Sequence, residues 1–372
     1  MDYQPIPNLL LEALAYLGRR VGGYTEQYLD DRLRQRGVAD LTSFHTGIAP
    51  IARLTAVLDH CVAIPLEQEK RMFTNLAGFP YSPIGAYSPA FLLFYPVLNR
   101  YEGDFSALMD YMRGLPAHHV VRHIMLSLEL RDEQGPDSVD LSSGFMDAIQ
   151  SLDIPTDSKL ALLDCFHRYT FFLEHSARCL GPVVEALETR QKELFAICEP
   201  FSRDVRAAGP EAYLHQTSSF NLPSRSNCCL RPFVFGLDTN LAVEPVPVQG
   251  HSVTLMYSGV LRRCLLEQLS QAEDAATAAY EVIKLLGDRT RFDILCFLRD
   301  HTAYGQELSD RFGLARNTIH HHMSKLSNAG LVTCTVDGNR VYYALDRAAV
   351  DRLLLQQRKL LLGDNRPSGH MV

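Results

Sequence analysis

Cationic, amide and hydroxyl side chains are concentrated in one short segment in the last quarter of the chain. The polar residues of this segment are Arg316, Asn317, Thr318, His320, His321, Ser324 and Lys325. Side chains of these types and lengths donate to phosphate oxygens or read the edges of bases. No carboxylate stands between Asp310 and Asp337, so no side chain of this stretch would repel a phosphate. The residue types therefore predict a surface that contacts DNA.

The opposite face of the same segment indicates how that surface is positioned. Its residues recur at i, i+3, i+4 and i+7, and they are Ile319, His322, Met323 and Leu326. This spacing predicts a helix over 316–328 that packs on a core, with Gly330 ending it in the left-handed conformation. We expect His322 to be a hydrogen-bonded structural residue and His320 and His321 to point toward DNA.

The flanking residues predict a helix-turn-helix with a wing. A first helix is predicted over 306–312, a turn at Gly313 and Leu314, and a two-stranded hairpin over 333–345. Asn339 and Arg340 in this wing are further candidate DNA contacts. This order of elements places the second helix in the major groove. A small helical subdomain with an ordinary polar surface is the competing interpretation.

The region from Ala275 to about Leu355 resembles the winged helix domain of ArsR-type bacterial transcriptional regulators. Three segments carry the resemblance: LLGDRTRFDILCFL at 285–298, QELSDRFGLARNTIHHHMSKLSNAGLV at 306–332, and DGNRVYYAL at 337–345. The segment Tyr257-Ser258-Gly259-Val260 resembles a sequence motif of a larger subgroup of this family, which has a helical N-terminal region. The segment is one residue shorter than that motif. The resemblance of the C-terminal region implies a DNA-binding regulator, and that of the N-terminal part implies no ligand.

Two positions depart from the family's pattern. Ala315 stands where the family usually has a Ser or Thr helix cap, so the start of the second helix is less firmly held. The family's metal-sensing cysteine pair is absent, and Leu308, Ser309 and Asp310 occupy that region. We therefore expect no metal sensor of the usual type and no cofactor.

Composition describes an ordinary globular protein. The 372 residues leave room for two or three domains, and 47% of them are hydrophobic and 21% charged. The nine cysteines lack zinc-like spacing and are expected to be reduced thiols in the cytoplasm. No apolar run approaches the length of a membrane span, so no membrane association is expected.

The net charge of −7 is distributed unevenly. From Thr277 onward, 13 Lys and Arg face 10 Asp and Glu, which gives +3 there and −10 in the remainder. The basic excess therefore falls on the region of the predicted helix-turn-helix, as DNA binding requires.

The sequence predicts a mainly α fold with three parts. Residues 1–270 are predicted to form a mostly helical domain with a β segment near 231–257, residues 271–362 the winged domain, and residues 363–372 a flexible tail. The predicted helices of the first part span 8–17, 25–35, 50–60, 105–112, 117–130 and 159–201. Strands over 231–235 and 252–257 are expected to form a small sheet or hairpin, followed by a helix from about 258.

Histidine and cysteine spacings raise a metal site as an alternative. His119 and His123 stand four residues apart on a predicted helix and share a face that can hold a metal. The motif lacks the glutamate of HExxH and a third adjacent ligand, so an ordinary histidine pair competes with this interpretation. A looser group on the predicted helix 159–201 consists of Asp164, His167, His175 and Cys179. No phosphate-binding loop, nucleophile elbow or dinucleotide fingerprint is present, so we expect no enzyme.

The prediction as a whole is a cytoplasmic, homodimeric transcriptional regulator that binds double-stranded DNA. The helices over 275–286 and 350–361 are expected to form the dimer interface, because Leu353, Leu354 and Leu361 exceed what a solitary helix buries. A two-fold dimer implies an inverted-repeat operator. The N-terminal domain either senses an effector or dimerises, or it is a protein-binding scaffold tethered to DNA, and both alternatives stay open.

Overall fold

The computed structural model describes residues 1–35, 38, 41–62, 64–80, 82–101, 103–128, 144–218, 220–221, 228–243, 253–272, 275–337 and 340–362. The chain forms two compact units. The first comprises Met1–Arg32, Asp40–Gln216 and Ser226–Leu266, and the second Leu33–Ala39, Thr217–Arg225 and Glu267–Val372. Helices dominate, so the mainly α prediction is confirmed. The domain limits and roles predicted from the sequence stay predictions.

Helices account for most of the chain up to residue 272. They are α1 (Leu9–Gly22), α2 (Glu26–Gln35), α3 (Thr42–Cys61), α4 (Leu66–Phe73), α5 (Pro89–Phe94), α6 (Phe105–Arg113), α7 (Ala117–Ser127), α8 (Gly144–Ser151), α9 (Thr156–His167), α10 (Tyr169–Glu188), α11 (Gln191–Ala208), α12 (Pro210–Thr217) and α13 (Arg262–Ala272), with a 3-10 helix at Tyr95–Arg100. None of the described helices is long and apolar enough to cross a membrane.

Helix α1 is the centre of the first unit. Every residue from Leu9 to Arg19 is buried, and the helix packs against α4 and α10. Asn8 caps its start by accepting from the Leu11 N–H at 3.1 Å. Glu12 is only 1% exposed, and its two carboxylate oxygens accept the Val234 and Phe235 N–H groups at 2.8 Å each. Burial raises the pKa of Glu12 to about 8 despite these bonds.

The predicted helix over 159–201 is wrong, because the structure has three helices there. The backbone leaves the helical region at Arg168 (ψ 36°) and again at Arg190 (ψ 23°). These breaks let α10 pack on α1 while α11 packs on a strand of the sheet. The helical hydrophobic pattern continues across both breaks, so periodicity alone did not reveal them. The predicted helix over 50–60 is likewise longer, since α3 begins at Thr42 and contains Pro50.

A four-stranded sheet completes the first unit. Its strands are β1 (Asp2–Tyr3), β3 (Cys228–Phe233), β4 (Asn240–Val243) and β5 (Thr254–Gly259), in the order β1-β3-β5-β4. Strand β3 pairs in parallel with β1 and β5, and β4 pairs antiparallel with β5. The two predicted strands therefore belong to a sheet and not to a hairpin, since parallel neighbours require a crossover connection.

The second unit combines five helices with a small sheet. The helices are α14 (Ala275–Leu286), α15 (Arg289–Leu298), α16 (Gly305–Phe312), α17 (Arg316–Asn328) and α18 (Arg347–Leu362). The strands are β2 (Phe220–Asn221), β6 (Ala303–Tyr304), β7 (Val332–Asp337) and β8 (Arg340–Leu345), in the order β2-β7-β8-β6. Strands β7 and β8 form the predicted antiparallel wing hairpin. The predicted tail, 363–372, lies outside the described residues.

Candidate DNA-binding surface

The turn between α16 and α17 is held by its own backbone. Gly313 has a left-handed φ of 64°, and its N–H and that of Leu314 both donate to the Ser309 carbonyl. The Ser309 hydroxyl donates in return to the Leu314 carbonyl at 2.6 Å. Leu308 on α16 is fully buried in the core that α17 also enters. The angle between the two helices is therefore set by this turn and by shared packing.

The two ends of α17 differ in how firmly they are held. At the start, Ala315 makes no side-chain cap hydrogen bond, as the departure from the family pattern predicted. At the other end, Gly330 adopts φ 69°, donates to the Ser327 carbonyl at 2.9 Å, and is followed by Leu331, which donates to the Leu326 carbonyl at 3.0 Å. This pair of bonds is a Schellman motif, and it confirms the predicted left-handed cap.

The predicted two faces of α17 are present. Ile319, His322, Met323 and Leu326 are buried. Among the predicted contact residues of α17, Arg316, His321 and Lys325 are exposed, and Asn317, Thr318, His320 and Ser324 are half-buried. All of them lie outside the buried face of one helix, so the structure brings these candidates together. Their contact with DNA stays a prediction.

The wing contributes a cation held by an aromatic ring. Arg340 at the start of β8 is exposed, and its guanidinium lies 4.3 Å from the ring centre of Tyr304. Tyr304 in turn meets Tyr342 edge to face at 5.6 Å. Sequence reasoning missed Tyr304, although its register opposite Tyr342 follows once β6 is paired with β8. The other wing candidate, Asn339, lies outside the described residues.

His322 differs from its predicted role. It is buried, but its Nδ1 has no hydrogen-bond partner within the described part of the chain, and the Asp288 carboxylate lies 4.0 Å away. Asp288 caps α15 through the Arg291 N–H at 3.0 Å and also pairs with the Arg291 guanidinium at 3.3 Å. Desolvation lowers the pKa of His322, opposed in part by Asp288. The prediction of a hydrogen-bonded His322 is therefore wrong for Nδ1, because the Asp288 carboxylate binds the backbone N–H and the guanidinium of Arg291 instead.

The candidate metal ligands do not assemble into a site. His119 is half-buried and His123 is buried on α7. Asp164 and His167 belong to α9, whereas His175 and Cys179 belong to α10, so this group does not share one helix as predicted. Over the described ranges, no three His, Cys, Asp or Glu side chains are grouped to hold a metal ion.

An apolar surface lies on α14 and α18, which pack against each other. Tyr280, Ile283, Leu354 and Leu355 are 61%, 48%, 57% and 54% exposed. Leu353, one of the residues that suggested this surface, packs instead against the core of the second unit. The side chain of Leu361 lies outside the described residues. Large apolar side chains in this number on two neighbouring helices are typical of an interface.

Comparison with known proteins places these elements in a family. A family model described as a helix-turn-helix domain matches residues 286–335. The arsenical resistance operon repressor of Staphylococcus aureus is 33% identical over 73 residues, which are 20% of this chain and 70% of that protein. The chain belongs to the ArsR-type winged helix-turn-helix regulators. The resemblance inferred for the region from Ala275 to about Leu355 is thus confirmed, and the resemblance of the N-terminal part to the larger subgroup stays a prediction.

Other relatives match a similarly limited region. The HTH-type transcriptional regulator CmtR of Mycobacterium tuberculosis is 38% identical over 71 residues, 19% of this chain and 60% of its own length. The transcriptional activator HlyU of Vibrio cholerae is 28% identical over 86 residues, 23% of this chain and 80% of its own. The chain therefore spans less than two thirds of the length of CmtR. No solved structure matches this ArsR-type chain.

Proposed function

We propose that this chain is a DNA-binding transcriptional regulator that acts as a homodimer on an inverted-repeat operator. The observation that carries the proposal is the polar face of α17, which has no carboxylate and stands opposite a buried apolar face. A helix of this kind, held by a short turn and followed by a wing, suits insertion into the major groove.

Individual roles follow from side-chain chemistry. Asn317, Thr318 and His321 carry donors and acceptors suited to base edges. Lys325 on α17 and Arg340 on the wing are exposed cations suited to phosphates. Arg316, His320 and Ser324 are the remaining predicted contacts of α17, and Asn339 stays a predicted contact outside the described residues.

The exposed apolar surface of α14 and α18 supports the homodimer. Burying Tyr280, Ile283, Leu354 and Leu355 against the same residues of a second copy would remove them from water. A two-fold dimer carries two copies of α17, and these reach successive major-groove faces only if they lie about 34–36 Å apart. The expected operator is therefore an inverted repeat with half-sites about one helical turn apart.

Selection of bound sequences from randomised duplex DNA by the full chain tests this function. An enriched inverted repeat with that spacing supports the proposal, and enrichment of no sequence, or of a single unpaired half-site, contradicts it. The salt dependence of binding then tests the phosphate contacts. Because the proposed dimer carries two copies of Lys325, Lys325→Ala should lower the slope of log affinity against log salt by about 2, about 1 for each subunit, on every sequence.

Lys192→Ala is the matched control for charge. Lys192 is an exposed lysine on α11 in the first unit. Its substitution by alanine removes the same charge as Lys325→Ala, but from a different part of the chain. Its salt slope should equal that of the unaltered protein. An unchanged slope for Lys325→Ala, or equal decreases for both variants, would remove Lys325 from the phosphate contacts.

We further propose that the first unit senses an effector. The alternative is a protein-binding scaffold tethered to DNA. Exposed apolar side chains such as Leu160 and Phe195 are the observation that supports this alternative. A thermal-shift screen of metabolites against the full chain, followed by DNA affinity with each hit, separates the two. A stabilising ligand that changes DNA affinity supports the sensor, and stabilisation by none of them favours the scaffold.

A further inference from the structure

An open cleft of about 330 Å³ lies in the first unit. It is bounded by the end of α4, the loop after it, the start of α5 and one side of α9, and Phe172 of α10 also lines it. Its volume is at the lower end of the range that small-molecule sites occupy in proteins. Its apolar lining consists of Leu76, Ala77, Pro89, Ala161 and Phe172.

Hydrogen bonds hold the wall of the cleft in place. The Asn75 amide donates to the Ser82 carbonyl at 2.8 Å and accepts the Tyr87 N–H at 3.1 Å, which ties the loop across itself. The Ser158 hydroxyl donates to the Ala77 carbonyl at 2.8 Å and joins this loop to α9. The cleft is therefore preformed, so a ligand would not have to order its walls.

Two opposite charges line the cleft without neutralising each other. Within the described residues, neither Arg71 nor Asp157 has a hydrogen bond or ion pair, with each other or with another side chain. Asp164, the other carboxylate of the lining, is already paired with Arg168 at 3.2 Å. One cation and one anion thus remain available to a ligand, beside the uncharged polar side chains of Thr74, Asn75 and Ser158 and the apolar part of the lining.

The guanidinium of Arg71 is held in place by aromatic rings. It lies 4.6 Å from the ring centre of Phe171 and 5.8 Å from that of Phe172. Stacking restrains the side chain but leaves its in-plane N–H groups able to bind a carboxylate in two places. A ligand carboxylate would therefore meet a partly ordered partner, which lowers the entropy cost of binding.

We propose that this cleft binds a small zwitterion of the amino-acid class. Its carboxylate pairs with Arg71, its ammonium group with Asp157, and an apolar side chain lies on Leu76, Pro89 and Phe172. The pairing uses both unpaired charges at once, whereas a simple anion or a simple cation would leave one of them unpaired in the cleft. Ligand binding stands independently of DNA, but its use as an effector signal rests on the proposed function.

Calorimetric titration of the full chain in the absence of DNA tests the site. The probes are L-leucine and L-phenylalanine, with 4-methylpentanoate and leucinol as analogues of leucine that each lack one charge. At least one of the two amino acids should bind, and the single-charge analogues should bind at least about tenfold more weakly. Equal binding of 4-methylpentanoate would show an anion site and would overturn the zwitterion assignment.

Substitutions locate the binding. Arg71→Gln and Asp157→Asn should each weaken binding of the amino acid at least about tenfold. Arg100→Gln is the matched control, because Arg100 lies 4.6 Å over the ring of Tyr111, the same cation–π distance, and does not line the cleft. It should leave the affinity unchanged. Arg71→Lys, which keeps the charge, provides a second variant if Arg71→Gln unfolds, and it should bind more weakly than the unaltered chain because it lacks the paired donors.

Two results would overturn the proposal. One is the absence of binding by either amino acid at concentrations up to about 10 mM, the weak limit of small-ligand sites. The other is unaltered affinity in folded Arg71→Gln and Asp157→Asn variants. Neither result would contradict the proposed function as a DNA-binding regulator, since that function is tested by the selection of operator DNA.

Discussion

At the scale of single residues, Asn317 has the side chain most suited to reading a base. Its amide carries a donor and an acceptor side by side, the pair that the major-groove edge of adenine requires. We expect Asn317→Ala to weaken binding to the selected operator by about 1–3 kcal/mol and to leave binding to unrelated DNA nearly unchanged. Fluorescence anisotropy with both duplexes measures the difference.

Asn328→Ala is the control for that measurement. Asn328 is an exposed residue of the same type at the opposite end of α17. Asn328→Ala should change neither the affinity for the operator nor the affinity for unrelated DNA. If Asn317→Ala lowered the affinity for operator and for unrelated DNA equally, Asn317 would contact the DNA backbone and not a base.

His321 is expected to make DNA binding depend on pH. Partial desolvation by neighbouring atoms, and then the positive charges of Lys325 and other neighbours, lower the pKa of the largely exposed His321 in the free protein. Phosphates near the bound helix raise it, so the complex takes up the proton at a higher pH than the free chain does. The affinity for DNA therefore rises as the pH falls from the pKa of His321 in the complex to its pKa in the free chain, and it levels off below the pKa of the free chain.

Anisotropy titrations between about pH 8 and pH 5 at fixed salt would measure this dependence. His321→Gln should flatten the profile, because glutamine keeps a polar side chain that does not titrate. His301→Gln, at an exposed histidine of the second unit outside α17, should leave the profile as it is. A flat profile for the unaltered chain would contradict the role of His321.

At the scale of elements, the cap of α17 depends on one glycine. Gly330 has φ 69°, and a side chain there would have open space but a strained backbone. Gly330→Ala should therefore destabilise the second unit by about 1 kcal/mol. Hydrogen exchange of the amides in α17 and β7 would report the loss as faster exchange.

Gly305→Ala separates backbone strain from the added methyl group. Gly305 also has open space around its Cβ position but no positive φ, and it begins α16. This variant should be neutral or slightly more stable. Equal destabilisation by both substitutions would show that the left-handed conformation is not the cause.

For the whole molecule, the proposed homodimer depends on the apolar surface of α14 and α18. Leu354→Glu would place a charge in the proposed interface and should give a monomer with operator affinity lowered at least about tenfold, because two linked half-sites are no longer engaged together. Light scattering measures the mass, and anisotropy measures the affinity. Leu160→Glu is the control, since Leu160 in the first unit is also 57% exposed. A Leu354→Glu variant that stays dimeric would place the interface elsewhere.

Features that depend on neighbouring residues along the chain could be predicted from the sequence. The limits of α17, its buried face and the Gly330 cap all follow from residues within about one or two helical turns of each other. Backbone hydrogen bonds and side-chain periodicity are local there, so composition and spacing carry the information. The same local pattern carries the similarity to ArsR-type regulators, which covers about a fifth of the chain.

Features that depend on contacts between residues far apart in sequence could not be predicted in this way. The breaks at Arg168 and Arg190 arise from what α10 and α11 pack against, and the parallel pairing of β3 with β5 arises from a crossover. Asp288 pairs with Arg291, and the Nδ1 of His322 has no hydrogen-bond partner among the residues that the structure describes, while Arg340 lies over the ring of Tyr304. Arg71 and Asp157 line one cleft only because α4 and α9 both pack against α10. Such contacts carry no periodic signal, since each depends on the path of the whole chain and not on the spacing of its residues.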